Sequence, residues 1–184
     1  KQIMRKSGDY KLAGQIKKFK VTPWLHKGAE LYKRLIALSF VGQEDCVIDA
    51  GSHLGDYAQF YASLVGEKGK VFAYEAHPTI FQELMLRLNN VPQVSLHEAA
   101  VSDSSNQSIS MCIYPGVDQQ CATVEPTLMG QDRMPGETKI VKVKTETIDG
   151  LSLEKCALIK IDTEGHEESV IRGAGGLLKK CMPV

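Results

Sequence analysis

The hydrophobic positions of the chain follow two alternating patterns. Short apolar runs predict strands that are buried on both faces, and stretches with apolar residues three or four positions apart predict amphipathic helices. The apolar runs are 46–48, 71–74, 94–101 and 157–161, and the helical stretches are 29–40, 57–65, 78–88 and 170–178. This alternation predicts an α/β fold with a doubly wound, mostly parallel sheet that is covered by helices on both faces.

The pattern departs from this alternation in two places. The runs 108–114 and 140–145 predict an inserted β-hairpin, and the long polar stretch 115–138 between them predicts a mobile flap beside the substrate. The chain stops at Val184, where a further strand would begin, so we expect the C-terminal strands of the sheet to be missing. That would leave 157–161 with an unpaired edge, where self-association is expected.

Composition and charge indicate one globular domain without a strongly charged partner. Of the 184 residues, 43% are hydrophobic, and 22 basic side chains balance 22 acidic ones. This balance gives no clear sign of a nucleic-acid partner. The first 27 residues carry eight Lys or Arg against the single acid Asp9. We predict a basic N-terminal leader over 1–28, which is solvated rather than an arm for an anionic partner, and a folded domain over 29–184.

The cysteines and the apolar runs bear on the compartment. The five cysteines show no Cys-x-x-Cys spacing, and Cys46 and Cys156 lie in apolar runs typical of buried, reduced thiols. No apolar run approaches the roughly 18 residues of a membrane span, and the start lacks the apolar core of a signal peptide. These features predict no membrane span and a cytoplasmic location.

The most informative motif joins the first strand to the next helix through a glycine turn. Gly51 leaves the backbone open to a ligand, Gly55 lets the helix pack close to the strand, and His53 lies within the turn. This Rossmann-like arrangement fits any nucleotide cofactor, and a plain tight turn is the alternative. Asp49 at the end of the strand would repel a pyrophosphate but would tolerate a cofactor with an ammonium and a sulfonium group.

The next two strands also end in acidic or polar residues. Glu75 follows Gly55 by 20 residues, a position from which a carboxylate can accept hydrogen bonds from both ribose hydroxyls. A surface acid that caps the helix at Pro78 is the alternative. Ser102 and Asp103 end the third strand, where a side-chain oxygen can accept a hydrogen bond from an adenine amino group. The sequence Ser-Asp-Ser-Ser is equally typical of an ordinary turn.

The fourth strand ends in the cluster Asp162, Glu164 and His166. These residues lie where an acceptor would meet the reacting group, and such side chains can orient or deprotonate a hydroxyl. A metal site is less favoured because Asp-x-Glu-x-His has no fixed metal spacing, so we predict none. Glu167 and Glu168 are expected only to favour the start of the following helix.

Five segments in this order resemble the FkbM-type methyltransferases over about residues 42–183. They are 47–55 (VIDAGSHLG), 73–78 (AYEAHP), 99–103 (AAVSD), 147–149 (TID) and 159–167 (IKIDTEGHE). The resemblance implies that 29–184 is a C-terminally incomplete methyltransferase domain of the class I, Rossmann-like type. It also implies S-adenosylmethionine as the donor and O-methylation of a hydroxyl on a sugar or natural-product-like acceptor.

The resemblance also implies roles for individual residues. Asp49 and Gly51 would contact the methionine part of the cofactor, and Glu75 would contact its ribose. Ser102 and Asp103 would lie on the adenine side, and Asp162 and Glu164 would face the reaction centre. We expect Asp162 or His166 to act as the base. Two alternatives remain, an NAD(P)-dependent Rossmann oxidoreductase and a non-catalytic binding module. The oxidoreductase would share Glu75, but the turn lacks Gly-x-Gly-x-x-Gly and carries Asp49.

Overall fold

The computed structural model describes residues 28–113, 124 and 139–184 of the chain. Within them, the helices are α1 (Gly28–Phe40), α2 (Asp56–Val65), α3 (Pro78–Leu88), α4 (Glu167–Arg172) and α5 (Gly175–Cys181). The strands are β1 (Cys46–Ala50), β2 (Lys70–Tyr74), β3 (Val94–His97), β4 (Ala100–Val101), β5 (Ser108–Ile113), β6 (Lys139–Glu146) and β7 (Leu158–Ile161), and a 3₁₀ turn covers Asp149–Leu151.

The strands form one parallel sheet and one smaller, mixed sheet. In the main sheet the order is β3-β2-β1-β7, and all neighbouring strands are parallel. In the second sheet β6 lies between β4 and β5, and β5 pairs with β6 in an antiparallel hairpin. The predicted α/β fold with a mostly parallel sheet and an inserted hairpin is therefore confirmed.

One predicted strand proved to be two. The continuous strand predicted over 94–101 is wrong, because β3 pairs with β2 whereas β4 pairs with β6. The backbone amide of Glu75 donates a hydrogen bond to the carbonyl of His97 at 3.0 Å, the last contact of β3 with the chain beyond β2. The chain then crosses from one sheet to the other at Glu98 and Ala99, between His97 of β3 and Ala100 of β4.

Helices cover both faces of the main sheet, so β1 is buried on both sides. Val47 belongs to a core that contains Leu64 of α2 and further residues of α1 and α3. Its neighbour Ile48 points to a second core, which contains Val170 of α4. Alternate strand residues face opposite sides, which explains why the predicted apolar runs carry no polar alternation.

Gly55 is required by the packing of helices rather than by the turn alone. Its φ is +82°, and a Cβ atom there would lie 2.5 Å from a methyl group of Leu84 and 2.5 Å from one of Leu88 in α3. Any other residue would have to displace these methyl groups and adopt a backbone conformation that L-residues rarely take. The sequence predicted that Gly55 lets the helix pack close to the strand, but the atoms nearest to it belong to the neighbouring helix α3.

β7 lies at the edge of the main sheet, as predicted. Among the described strands its only partner is β1. On its other side, the Val184 amide donates to the Ala157 carbonyl at 3.1 Å, and the Ile159 amide donates to the Val184 carbonyl at 3.0 Å. Backbone hydrogen bonding thus continues beyond β7, while the expected missing strands and self-association stay predictions.

Two predicted segments lie outside the residues that the structure describes. The basic leader over 1–28 lies there except for Gly28, and the flap over 115–138 lies there except for Val124. In the described part of the chain, every helix is too short or too polar to traverse a bilayer.

Candidate active site

A cleft of about 380 Å³ opens at the carboxyl ends of β1, β2 and β7. Ligands bind at this position in open parallel α/β sheets because the loops that follow the strands diverge there. Its walls include Gly51 and His53 after β1, Glu75 after β2, and Asp162 and Glu164 after β7. With His166, the structure therefore brings together six of the residues that the sequence singles out.

The glycine turn is held rigidly between its neighbours. Gly51 has φ +84°, and a Cβ atom there would lie 2.0 Å from the carbonyl oxygen of Asp162. The amides of Gly51 and Ser52 both donate to the carbonyl of Tyr74, at 3.1 and 2.8 Å. Glycine is thus required at this position both for its conformation and for its space.

Glu75 is fixed by two backbone amides. Its Oε2 accepts from the His53 amide at 2.8 Å, and its Oε1 accepts from the His77 amide at 2.7 Å. Burial raises the pKa of Glu75, and these two hydrogen bonds oppose the rise. A carboxylate has about four acceptor positions, so two bound amides leave room for two more donors.

The alternative role of Glu75 as a helix cap is wrong. The cap of α3 is His77, whose Nδ1 accepts from the amides of Thr79 and Ile80 at 3.1 and 3.4 Å. The His77 side chain is buried, and no local pattern in the sequence distinguishes it from a surface histidine. Glu75 is thus not the cap of α3, although it accepts the amide of the cap residue.

His53 presents a buried nitrogen to the same cleft. It has φ +51°, an uncommon value outside glycine, and burial lowers its pKa. Its Nε2 atom is buried and has no hydrogen-bond partner within the described residues. A neutral imidazole with such an atom on a cleft wall suits a ligand that supplies the missing hydrogen bond.

Asp49 lies beneath the turn rather than on the cleft wall. Its side chain is completely buried, and its Oδ1 lies 3.1 Å from the Nζ atom of Lys160. Burial raises the pKa of Asp49, and the charge of Lys160 opposes that rise. Lys160 balances this charge, so direct contact of Asp49 with a cofactor stays a prediction.

Lys160 is the important residue that the sequence analysis missed. Its Nζ donates to the Gly51 carbonyl at 2.6 Å, and it also lies 3.7 Å from Oδ2 of Asp162. Its position between Ile159 and Ile161 in an apolar strand could have identified it, because a lysine that is buried in such a strand requires polar partners. Lys160 links the ends of β1 and β7 below the cleft.

The loop after β7 holds Glu164 in an unusual conformation. Glu164 has φ +52°, is largely exposed at the cleft mouth, and is followed by Gly165 with φ +102°. Partial burial raises the pKa of Glu164, and the charges of Asp162 and Glu167 raise it further. Left-handed non-glycine residues cost about 1–3 kcal/mol and persist only where their surroundings hold them.

Glu167 supplies that support, so its predicted role as merely a favourable helix-start residue was too narrow. Its Oε1 accepts from the amides of Thr163 and Gly165 at 3.2 and 3.0 Å, and from the Thr163 hydroxyl at 3.3 Å. Burial alone would raise the pKa of Glu167, but the Gly165 amide and the other donors lower it overall. The carboxylate therefore fixes the residues on both sides of Glu164.

The remaining predicted residues lie at or behind the far wall. His166 lines the cleft with 9% of its surface exposed, and its Nε2 lies 3.0 Å from Oγ of Ser102. Ser102 is buried behind that wall, whereas Asp103 is exposed outside it. Gly55 also lies outside the wall. Direct contacts of these three residues with adenine or another part of a cofactor stay predictions.

The parallel sheet, the Gly51 turn and the Glu75 carboxylate together define a class of protein. A parallel sheet with a glycine turn after its first strand and a carboxylate after its second is that of the Rossmann-like, class I S-adenosylmethionine-dependent methyltransferases. The chain belongs to the methyltransferase FkbM domain family, whose model matches residues 49–184, well over half of its length. Membership confirms the resemblance in sequence and S-adenosylmethionine as the cofactor of the family.

One solved structure shares this fold, and two others show weaker similarity. Methyltransferase FkbM from Methylobacillus flagellatus KT matches with a TM-score of 0.50 and 12% identity over 96% of this chain, and the chain spans 47% of that protein's length. A SAM-dependent methyltransferase from Aquifex aeolicus has a TM-score of 0.37 and 18% identity, with 52% of this chain and 48% of that one covered. A SAM-dependent O-methyltransferase from Thermotoga maritima has a TM-score of 0.35 and 18% identity, with 73% and 71% covered. No curated protein matches the chain.

Proposed function

We propose that this chain binds S-adenosylmethionine in the cleft and transfers its methyl group to a hydroxyl of a small molecule or glycan. The observation that carries the proposal is the pairing of the Gly51 turn with the Glu75 carboxylate on one cleft wall. When bound, the cofactor supplies an electrophilic methyl group on a sulfonium centre. A nicotinamide cofactor is disfavoured by family membership and by the absence of Gly-x-Gly-x-x-Gly.

Three features of the cleft fit this cofactor. The volume of about 380 Å³ falls within the range of roughly 300–1,000 Å³ usual for ligand pockets. Glu75 has acceptor positions left after its two backbone amides, which suits a ribose diol. The buried Nε2 of His53 is an orphaned polar atom that a bound ligand would satisfy.

In this proposal the methionine part lies along the Gly51 turn and the ribose against Glu75. Asp49 and Lys160 act from below by fixing that turn, since Lys160 binds both the Asp49 carboxylate and the Gly51 carbonyl. Ser102 acts from behind by holding His166 through the 3.0 Å contact of its hydroxyl. In this proposal these residues act by positioning the groups that line the cleft, and direct contact of Asp49 or Ser102 with the ligand stays a prediction.

The acceptor hydroxyl enters beside Asp162 and Glu164. Its oxygen would form the new bond to the methyl carbon as the bond from that carbon to sulfur breaks, and its proton would pass to a base on the protein. Asp162 is engaged by Lys33 at 3.5 Å and Lys160 at 3.7 Å, and Nε2 of His166 is engaged by Ser102. We therefore propose Glu164 as the proton acceptor in place of Asp162 or His166, the residues expected from the sequence, because partial burial and the neighbouring acids Asp162 and Glu167 raise the pKa of Glu164.

The test is methyl transfer from S-adenosylmethionine with a deuterated methyl group to a mixture of sugars and hydroxylated natural products. Mass spectrometry should find the label on oxygen. Glu164→Gln should slow transfer by roughly 10²- to 10⁴-fold, the usual contribution of a general base. Glu168→Gln is the matched control, because that exposed acid pairs with Arg172 and lies outside the cleft wall. Label on nitrogen or carbon would contradict the proposed acceptor class.

A further inference from the structure

Three cationic side chains gather at the glycine-turn end of the cleft. Lys33 and Arg34 come from α1, and Lys160 comes from β7. All three approach the ring of Tyr57 in the first turn of α2, at 5.7, 5.3 and 5.5 Å from its centroid. Positively charged side chains of α1 and β7 therefore gather around the Tyr57 ring of α2.

Two of these cations are matched by carboxylates. Lys33 lies 3.5 Å from Asp162, and Lys160 lies 3.1 Å from Asp49. Among the described residues, no carboxylate lies within ion-pair distance of Arg34. Arg34 nevertheless forms part of the cleft wall. Arg34 thus brings a positive charge to the cleft without an acidic partner among the described residues.

The guanidinium of Arg34 is held by aromatic contacts rather than by an acid. Its carbon Cζ lies 5.3 Å from the Tyr57 centroid and 4.7 Å from the Phe60 centroid. Stacking of this kind fixes the plane of a guanidinium and leaves its edge available to a planar anion. Its Nε is buried and has no hydrogen-bond partner among the described residues. A buried donor in this state lacks one hydrogen bond that an anion can provide.

We infer that Arg34 binds the carboxylate of the methionine part of S-adenosylmethionine. The inference rests on the proposed function, in which that part lies along the Gly51 turn. Lys160 binds the Gly51 carbonyl and shares the Tyr57 ring with Arg34, so the guanidinium lies at the same end of the cleft. A guanidinium and a carboxylate form paired, charge-assisted hydrogen bonds, which suits this recognition.

Two cofactors that differ only in this carboxylate provide the test. Calorimetry should show that the wild-type chain binds S-adenosylmethionine more tightly than decarboxylated S-adenosylmethionine. Arg34→Gln should weaken binding of S-adenosylmethionine by roughly 10- to 100-fold, as expected for hydrogen bonds between charged groups. It should leave binding of the decarboxylated form unchanged. Arg34→Lys keeps the charge but not the planar fork, and should recover only part of the lost affinity.

Arg172→Gln is the matched control, since Arg172 is exposed, pairs with Glu168 and lies outside the cleft wall. An equal loss of both cofactors in Arg34→Gln would show a structural role and overturn the inference. Unchanged affinity for S-adenosylmethionine would overturn it too, because the carboxylate would then bind elsewhere. If the wild-type chain binds neither cofactor, the proposed function fails and the inference fails with it.

Discussion

The Nζ atom of Lys160 lies 3.1 Å from Oδ1 of Asp49, whose side chain is completely buried at the end of β1. These residues come from neighbouring parallel strands, with Asp49 opposite Lys160 in the register of β1 and β7. The same lysine binds the carbonyl of Gly51. One ion pair therefore sets the position of the glycine turn relative to the end of β7.

Lys160→Met should destabilise the chain by about 3–5 kcal/mol, because it leaves the Asp49 carboxylate buried without its partner. Urea denaturation measures this change. The Asp49→Asn/Lys160→Met double variant should lose less than the single variant, since no uncompensated charge remains. Lys68→Met is the control: Lys68 pairs with Glu44 at the surface, and its loss should change stability by less than about 1 kcal/mol. A Lys160→Met variant as stable as this control would contradict the account.

Gly51→Ala should cost about 2–5 kcal/mol, because the new Cβ would lie 2.0 Å from the Asp162 carbonyl in a left-handed conformation. Gly175→Ala offers the comparison, as a Cβ there would meet nothing within 4 Å at the start of α5. That change should be neutral or slightly stabilising. Equal midpoints for the two variants in thermal denaturation would be inconsistent with the packed turn.

The raised pKa of Glu75 predicts a pH dependence with a defined sign. Between its ordinary pKa of 4.5 and its higher folded value, the folded state binds more protons than the unfolded state. This contribution to stability is fully present below pH 4.5 and is lost as pH rises through the folded pKa. The stability of wild type relative to Glu75→Gln should therefore fall as the pH rises above 4.5. Thermal denaturation at several pH values checks this, and an increase over the range would refute it.

Glu167→Ala should loosen the loop that carries Glu164, since three donors of Thr163 and Gly165 lose their acceptor. We expect a loss of about 1–2 kcal/mol and faster hydrogen exchange at the Gly165 amide. Glu168→Ala removes an exposed acid on the same helix and should have little effect. Unchanged exchange at Gly165 in the Glu167 variant would show that the loop does not depend on this carboxylate.

Local patterns in the sequence were sufficient to predict the strands of the main sheet and several residues of the cleft wall. Gly51 and Glu75 follow apolar strands directly, so their positions at the carboxyl ends of those strands follow from the order of elements alone. The same reasoning placed Asp162 and Glu164 at the neighbouring strand end. Each of these predictions depends only on residues close together in the chain.

Pairings between distant segments could not be predicted in this way. His166 and Ser102 are 64 positions apart, and nothing near either residue specifies the other. The division of 94–101 into β3 and β4 depends on β6, which follows much later and takes β4 as its neighbour. Lys160 is an intermediate case. Its apolar neighbours in the sequence indicate that it needs a buried partner, but they do not identify that partner as Asp49.

The most direct test is calorimetry of S-adenosylhomocysteine with the wild-type chain and with Glu75→Ala, with NAD⁺ as the competing ligand. We expect S-adenosylhomocysteine to bind to the wild type at one site and NAD⁺ not to bind. Glu75→Ala should weaken binding of S-adenosylhomocysteine by about 1.5–3 kcal/mol, whereas Glu67→Ala, at an exposed turn, should leave it unchanged. Binding of NAD⁺ in preference to S-adenosylhomocysteine, or equal affinity of the wild type and Glu75→Ala for S-adenosylhomocysteine, would show that the cleft is not the cofactor site proposed here.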